Sequence, residues 1–176
     1  MLNKKEEVLD LVDEKDNVIG SIPISKANSD PKLIHREVAV IIYDNKNRVL
    51  IQQRGFTKKL DPGIWTVTCA GHVTKGLTPL EAVHMELKEE VGFDTELKFI
   101  EKEFNQIPTE SRFFYWYLGK FPKRAIIKME RGKVINTKFI SKSEINQFQK
   151  SGNVIGKHSL KYLMDFWEGK LKPTFY

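Results

Sequence analysis

The sequence predicts an α+β fold: a mixed β-sheet flanked by helices, in one domain spanning 1–176. Three observations predict it. Two hairpin patterns open the chain, a well-capped amphipathic helix follows a strand at its middle, and further strand and helix patterns complete it without repeats or low-complexity linkers. A length of 176 residues suits one domain with a substantial core, and 40% hydrophobic with 30% charged residues describes an ordinary globular chain.

In chain order, VLDLVD (8–13), the turn EKDN and VIGSIPI (18–24) read as an N-terminal β-hairpin over 8–24. KANSDPK (26–32) reads as a loop. VAVIIYD (38–44) and RVLIQQR (48–54) form a second, more apolar hairpin turning at 45–47, which suits central strands. GFTKKLDPG (55–63) is a basic loop closed by a Pro-Gly turn. IWTVTCA (64–70) reads as a strand and 79–91 as a helix; KFIEKEF (98–104), RFFYWYLGKF (112–121) and KVINTKFI (133–140) are three more strands. Helices are expected at 143–148 and 159–168, the second with Leu160, Leu163, Met164 and Trp167 on one face. Trp65, Phe113, Phe114, Tyr115 and Trp116 are expected in the core rather than as a stacking platform.

Composition excludes several classes. No run of about 18 apolar residues occurs, so no membrane span is expected. The opening MLNKKEEVLDLVDEKDNV lacks the apolar stretch of a secretory signal, and one cysteine, Cys69, excludes an internal disulfide and fits a reducing cytoplasm. The net charge of +6, from 29 basic and 23 acidic residues, suits an anionic ligand, but the basic residues are scattered, which argues against a nucleic-acid groove.

The central helix carries the chemistry. Thr78 is its N-cap, Pro79 its first residue, Glu81 completes a capping box and Gly92 stops it. At helical spacing Leu80, Val83, Leu87 and Val91 fall within an arc of about 80°, and Glu86, Glu89 and Glu90 within a neighbouring arc of about 100°. Glu86 and Glu90 are a like-charge i,i+4 pair at the helix end where the macrodipole disfavours anions. Each effect costs a few tenths of a kcal/mol or more. A divalent cation reverses the sign of both, and three hard oxygen ligands suit Mg²⁺ or Mn²⁺. An ordinary acidic surface is the bland alternative. Gly71 and Gly76 bracket the preceding loop, where backbone can approach a ligand closely.

The stretch GHVTKGLTPLEAVHMELKEEVGF (71–93) resembles the Nudix box, a loop-helix-loop signature. Gly71, Glu86, Leu87, Glu89, Glu90, Gly92 and Phe93 match it in register; Leu77 stands at its first glutamate and Met85 at its arginine. The resemblance implies the Nudix α/β/α sandwich and a MutT-like pyrophosphohydrolase, cleaving the diphosphate linkage of a nucleoside diphosphate derivative or similar organic diphosphate. By the same implication Glu86, Glu89 and Glu90 are catalytic and hold the metal. Both replacements are large and apolar, so Leu77 and Met85 are expected to touch or share one small apolar cluster, bracing the loop by packing where the family uses an ion pair.

The similarity extends over 8–93 to the Nudix branch that includes isopentenyl diphosphate isomerase and its hydrolase-like relatives. Arg54 and Lys58 match basic residues that grip the diphosphate there, and Gly71 and His72 match positions at the substrate; His35 has a similar echo. The isomerase's cysteine is here Ala70, with Cys69 one residue early and so facing the other side of its strand, and its later glutamate, aligned through Glu110, is Arg112. Isomerisation needs a placed acid and base, whereas hydrolysis needs water, metal and a base. The expected partner is therefore a small-molecule nucleoside diphosphate-type substrate in the cytoplasm, without nucleic acid or membrane, and with a homodimer left open. Two alternatives stand: a Nudix module that binds a nucleotide or partner without turnover, because Leu77 and Met85 break the motif, and an isomerase.

Overall fold

A nine-stranded mixed sheet runs through the computed structural model, which describes residues 6–174. The expected domain of 1–176 reaches past this at both ends: 1–5 and 175–176 lie outside the described residues. The strands are β1 (Val8–Val12), β2 (Val18–Pro23), β3 (Ile34–Tyr43), β4 (Val49–Arg54), β5 (Trp65–Thr66), β6 (Cys69–His72), β7 (Leu97–Ile107), β8 (Glu110–Lys120) and β9 (Val134–Ile140). The helices are α1 (Ile24–Ala27), α2 (Pro79–Glu86), α3 (Lys142–Lys150) and α4 (Lys157–Trp167). The short α1 and the residues after it occupy the stretch expected as loop.

The most apolar strand takes the centre. One edge of β3 pairs in parallel with β8 along its whole length, from Ile34↔Ser111 to Tyr43↔Lys120. The other edge is shared in turn by β1 at Ile34, β6 over 37–40 and β4 at 42–43. The expected 38–54 hairpin is thus paired only near its turn, while β4 lies along β9 for its whole length and meets β5 at 52–53.

The strand expected over 64–70 is split. Trp65 and Thr66 pair with β4, while 69–72 pair with β3. Between them Thr68 turns its hydroxyl into the gap where β3 and β4 diverge, accepting from the Ile42 amide at 2.9 Å and donating to the Leu50 carbonyl at 2.6 Å. Buried backbone groups need such partners, and this side chain supplies them.

Alternation along β3 builds two cores. Val38, Val40 and Ile42 pack with Cys69 beneath Ala82 and Val83 of α2, Leu87 and Val91; Ala39 and Ile41 pack with Trp65, Trp116 and Ile145 of α3 beneath Tyr162 and Leu163 of α4. Helices on both faces give the α/β/α sandwich. The aromatic expectation holds for Trp65, Phe113, Phe114 and Trp116, which are buried. On α4, Tyr162 rather than Met164 joins the core, its ring stacked on Trp116 with centroids 3.5 Å apart.

The central helix begins as expected: the Glu81 amide donates to Thr78 Oγ1 and the Thr78 amide to the Glu81 carboxylate, closing a capping box. Its end differs. Residues 87–91 form a π turn, closed by the Gly92 amide on the Leu87 carbonyl, and Gly92 sits at φ +79°. The wider turn carries the last two glutamates, of which Glu90 reaches Gln52 on β4. Leu80 departs from the expected stripe and is exposed.

Candidate functional site

The Glu86 carboxyl of the central helix lies against the bare backbone of β6. Gly71 faces α2, and a Cβ there would collide with the Glu86 carboxyl. Glu90, 3% exposed, accepts a 2.7 Å hydrogen bond from the Gln52 side chain on β4. Burial, with the neighbouring charge of Glu90, pushes the Glu86 carboxyl up to about 8, and burial raises Glu90 as well. Glu89 lies half exposed beside them.

Two basic side chains border the carboxylates from separate loops. Lys58 Nζ lies 3.8 Å from Glu90 Oε1, and Lys133 Nζ lies 3.5 Å from Glu89 Oε2 and 2.9 Å from Glu130 Oε2. Burial opposes the Lys133 charge, but Glu130, Glu86 and Glu89 outweigh it and raise its pKa. The segment leading into β9 is held directly against the π turn: the Glu130 amide donates to the Glu90 carbonyl at 3.0 Å, and the Lys128 amide to the Val91 carbonyl at 2.9 Å. A further glutamate thus stands beside the three of the helix.

The chemistry of these donors suits a divalent cation, although among the described residues only His35, Glu37, His72 and Glu110 bring ligand atoms within 4.8 Å of one another. Half-buried Glu86 and buried Glu90 both have raised carboxyl pKa values, and a cation between them would lower the penalty of ionising them. All the donors are hard oxygens, as Mg²⁺ and Mn²⁺ prefer.

Of the residues singled out in the sequence, Glu86, Glu89, Glu90, Gly71 and Lys58 come together here. Among the described residues Arg54 forms no ion pair with the carboxylates, though its charge acts on Glu90; its guanidinium donates to the Leu60 carbonyl at 3.1–3.2 Å and braces the basic loop. His72, next to Gly71 on a strand, turns its ring to the opposite face. Gln52, Glu130 and Lys133 went unrecognised in the sequence. Glu130 and Lys133 lie some 40 positions from the helix, and nothing in local spacing ties them to it.

His72 belongs to a second, buried cluster. Its ring stacks on His35 with centroids 5.3 Å apart, and its Nε2 lies 3.1 Å from Asn28 Oδ1 and 3.4 Å from Glu37 Oε1. His35 Nε2 and Arg112 Nη1 approach the same Glu37 oxygen at 3.6 and 3.5 Å, and Arg112 also pairs with Glu110. One donor atom from each of His35, Glu37, His72 and Glu110 lies within 4.8 Å of the others, a spacing that could accommodate a metal ion. Neither ring nitrogen of the fully buried His35 has a hydrogen-bond partner. Burial alone would raise Glu37, but the facing imidazoles and Arg112 hold it at about 2, while burial keeps His72 below its usual value despite Glu37. Arg112 is the one permanent cation in this cluster, set against two carboxylates, and it stacks over Phe114 at 4.9 Å.

The cysteine is placed as its register implies. Cys69 is buried in the core under α2, where burial and the charges of Glu90 and Glu86 push its thiol well up, while Ala70 packs toward the other core. Leu77 and Met85 do not share a cluster. Leu77 packs against the core under α2, but Met85 is 44% exposed and lies outside it. The expected apolar substitute for the ion pair is therefore absent, because position 85 points to solvent on the helix's outer side.

Among the described residues no helix is long and apolar enough to cross a membrane. The NUDIX domain family matches residues 33–161. Over 131 residues the chain is 36% identical to a Photorhabdus laumondii protein named isopentenyl-diphosphate Delta-isomerase 2, covering 71% of this chain and 73% of that one. It is 27% identical over 159 residues to a Listeria monocytogenes protein named an uncharacterized Nudix hydrolase, covering 90% and 94%. A crystallised Deinococcus radiodurans protein superposes with a TM-score of 0.75 at 21% identity, covering 92% of this chain and 99% of that one. The chain belongs to the NUDIX domain family.

Proposed function

We propose that this chain is a pyrophosphohydrolase that uses Mg²⁺ or Mn²⁺ to cleave the diphosphate linkage of a nucleoside diphosphate derivative or similar organic diphosphate. The observation that carries the reading is the half-buried Glu86 carboxyl beside the buried Glu90, with Glu86 raised to about 8. Two such carboxylates cost the fold stability that a cation joining them would offset. Glu86, Glu89 and Glu90 would hold the ion, and Gly71 leaves the space in which Glu86 reaches it. When bound, the cation would neutralise charge developing on the phosphate oxygens and activate the attacking water. Lys58 and Lys133, both at the carboxylate rim, supply positive charge toward the same phosphates. Gln52 fixes the Glu90 carboxylate so that it need not reorganise during reaction. The lone Cys69 and an anionic substrate fit a cytoplasmic setting, which is part of the same proposal.

The name of the Photorhabdus relative favours one competing reading, isomerisation of a prenyl diphosphate. Two residues speak against it. Ala70 brings no acid, and Arg112 engages the Glu110 and Glu37 carboxylates. Incubation with a panel of nucleoside diphosphates and with isopentenyl diphosphate, each with Mg²⁺, separates the possibilities. Phosphate monoester release supports the hydrolase, dimethylallyl diphosphate supports the isomerase, and binding without turnover supports an inert module.

A further inference from the structure

The basic loop after β4 holds one side chain that the proposed reaction leaves unused. Phe56 is 73% exposed, the most exposed large apolar residue among those described. It is also fixed in place. The Lys58 amide donates to the Gly55 carbonyl at 3.2 Å, closing a turn over 55–58 with Phe56 at its tip. Gly63, at φ +74°, lies under the ring, and a Cβ there would fall 2.6 Å from Phe56 Cε1, so the missing side chain gives the ring its seat. A large ring held by a glycine and still turned to water is not serving the core.

The same turn reaches the carboxylate centre. The Gly55 amide donates to the Lys133 carbonyl at 2.8 Å, and the Thr57 hydroxyl to the Gly132 carbonyl at 3.4 Å. Lys133 touches Glu89, and Lys58, two residues after Phe56, touches Glu90. Two residues span at most about 7 Å of chain, so the ring stands within the reach of one nucleoside from a diphosphate gripped by Lys58.

We infer that Phe56 stacks on the nucleobase of the substrate and so sets the preference for nucleoside over other diphosphates; the inference rests on the proposed diphosphate site. An open ring face suits a planar base, because stacking on an aromatic needs one exposed surface. A prenyl chain needs apolar walls around it, and the loop beyond Phe56 brings one further exposed apolar side chain, Leu60, among Thr57, Lys58, Lys59 and Asp61. Phe56 is here a specificity residue and takes no part in bond cleavage.

Binding separates this from the hydrolase reading. Calorimetry on the full chain with Mg²⁺ would compare α,β-methylene-ADP, which carries a base, with methylenediphosphonate, which does not, and with dimethylallyl diphosphate, which carries a prenyl chain. The expected result is that the nucleotide binds at least tenfold tighter, that Phe56→Ala removes most of that advantage without changing methylenediphosphonate affinity, and that Phe56→Trp keeps it. An unchanged advantage in Phe56→Ala would overturn the inference and leave the diphosphate site standing. Equal loss for both ligands would make Phe56 a structural residue of the loop, and a Phe56-dependent gain for dimethylallyl diphosphate instead would make the site a prenyl one. Absence of binding by both diphosphonates in the parent would sink the diphosphate site and this inference together.

Discussion

The Glu86 carboxyl occupies the space that a side chain at position 71 would need. Glycine is therefore required at 71 for its missing Cβ rather than for an unusual φ. Gly71→Ala should push Glu86 off its position while leaving the sheet paired. The expected outcome is at least a tenfold loss of turnover and weaker Mn²⁺ binding with little change in unfolding temperature. An alanine variant that titrates Mn²⁺ like the parent would show that Glu86 does not depend on Gly71.

Glu86 also makes the metal-free protein sensitive to pH. Its carboxyl titrates near 4.5 when unfolded and about 8 when folded, so the folded state holds the proton more tightly. The stability it contributes is fully present below pH 4.5 and is lost as pH rises through 8. With a chelator present, the unfolding temperature should fall across that window. Saturating Mg²⁺ should flatten the fall, and Glu86→Gln should remove its part of it. A slope untouched by Glu86→Gln would place the sensitivity elsewhere.

Arg112 is predicted to be a stability residue. Its guanidinium faces Glu37 and Glu110, both buried. Removing one partner of a buried ionic group costs about 3–5 kcal/mol, because the remaining charge is stranded. Arg112→Met should therefore lower the free energy of unfolding in urea by about that much, with the double change Arg112→Met, Glu110→Gln less damaging than the sum. Glu37 works in the opposite sense to Glu86: held at about 2, it contributes stability above pH 4.5 that is lost as pH falls toward 2. Strict additivity of the double variant would mean that the two residues are not coupled.

Much of this was legible in the sequence because its causes are local. Thr78, Pro79, Glu81 and Gly92 mark the helix ends by chemistry that acts within one turn, and the continuous apolar run at 38–42 marks a central strand. The crowding of Glu86, Glu89 and Glu90 was visible for the same reason. What escaped depends on distant chain. The π turn at 87–91 is sealed by the Glu130 and Lys128 amides, the break at Thr68 answers the divergence of β3 and β4, and the cluster around His35 is assembled by register between β3, β6 and β8. No window of sequence contains those partners together.

The outward position of Met85 corrects an expectation and yields a test. Surface exchanges usually change stability by about 0.5 kcal/mol or less, so Met85→Arg should be tolerated, whereas Leu77→Glu should cost more because Leu77 packs against the core. Rescue of Leu77→Glu by Met85→Arg would mean that the two positions are coupled after all.

The central claim is that Glu86, Glu89 and Glu90 run metal-dependent diphosphate hydrolysis, and ³¹P NMR on the full chain tests it most directly. With Mg²⁺ and a panel of nucleoside diphosphate derivatives including ADP-ribose, the diphosphate resonances of at least one substrate should give way to monoester resonances. The conversion should stop with chelator and be at least tenfold slower in Glu90→Gln. No metal-dependent conversion of any substrate in the panel, or equal conversion by Glu90→Gln, would contradict the account.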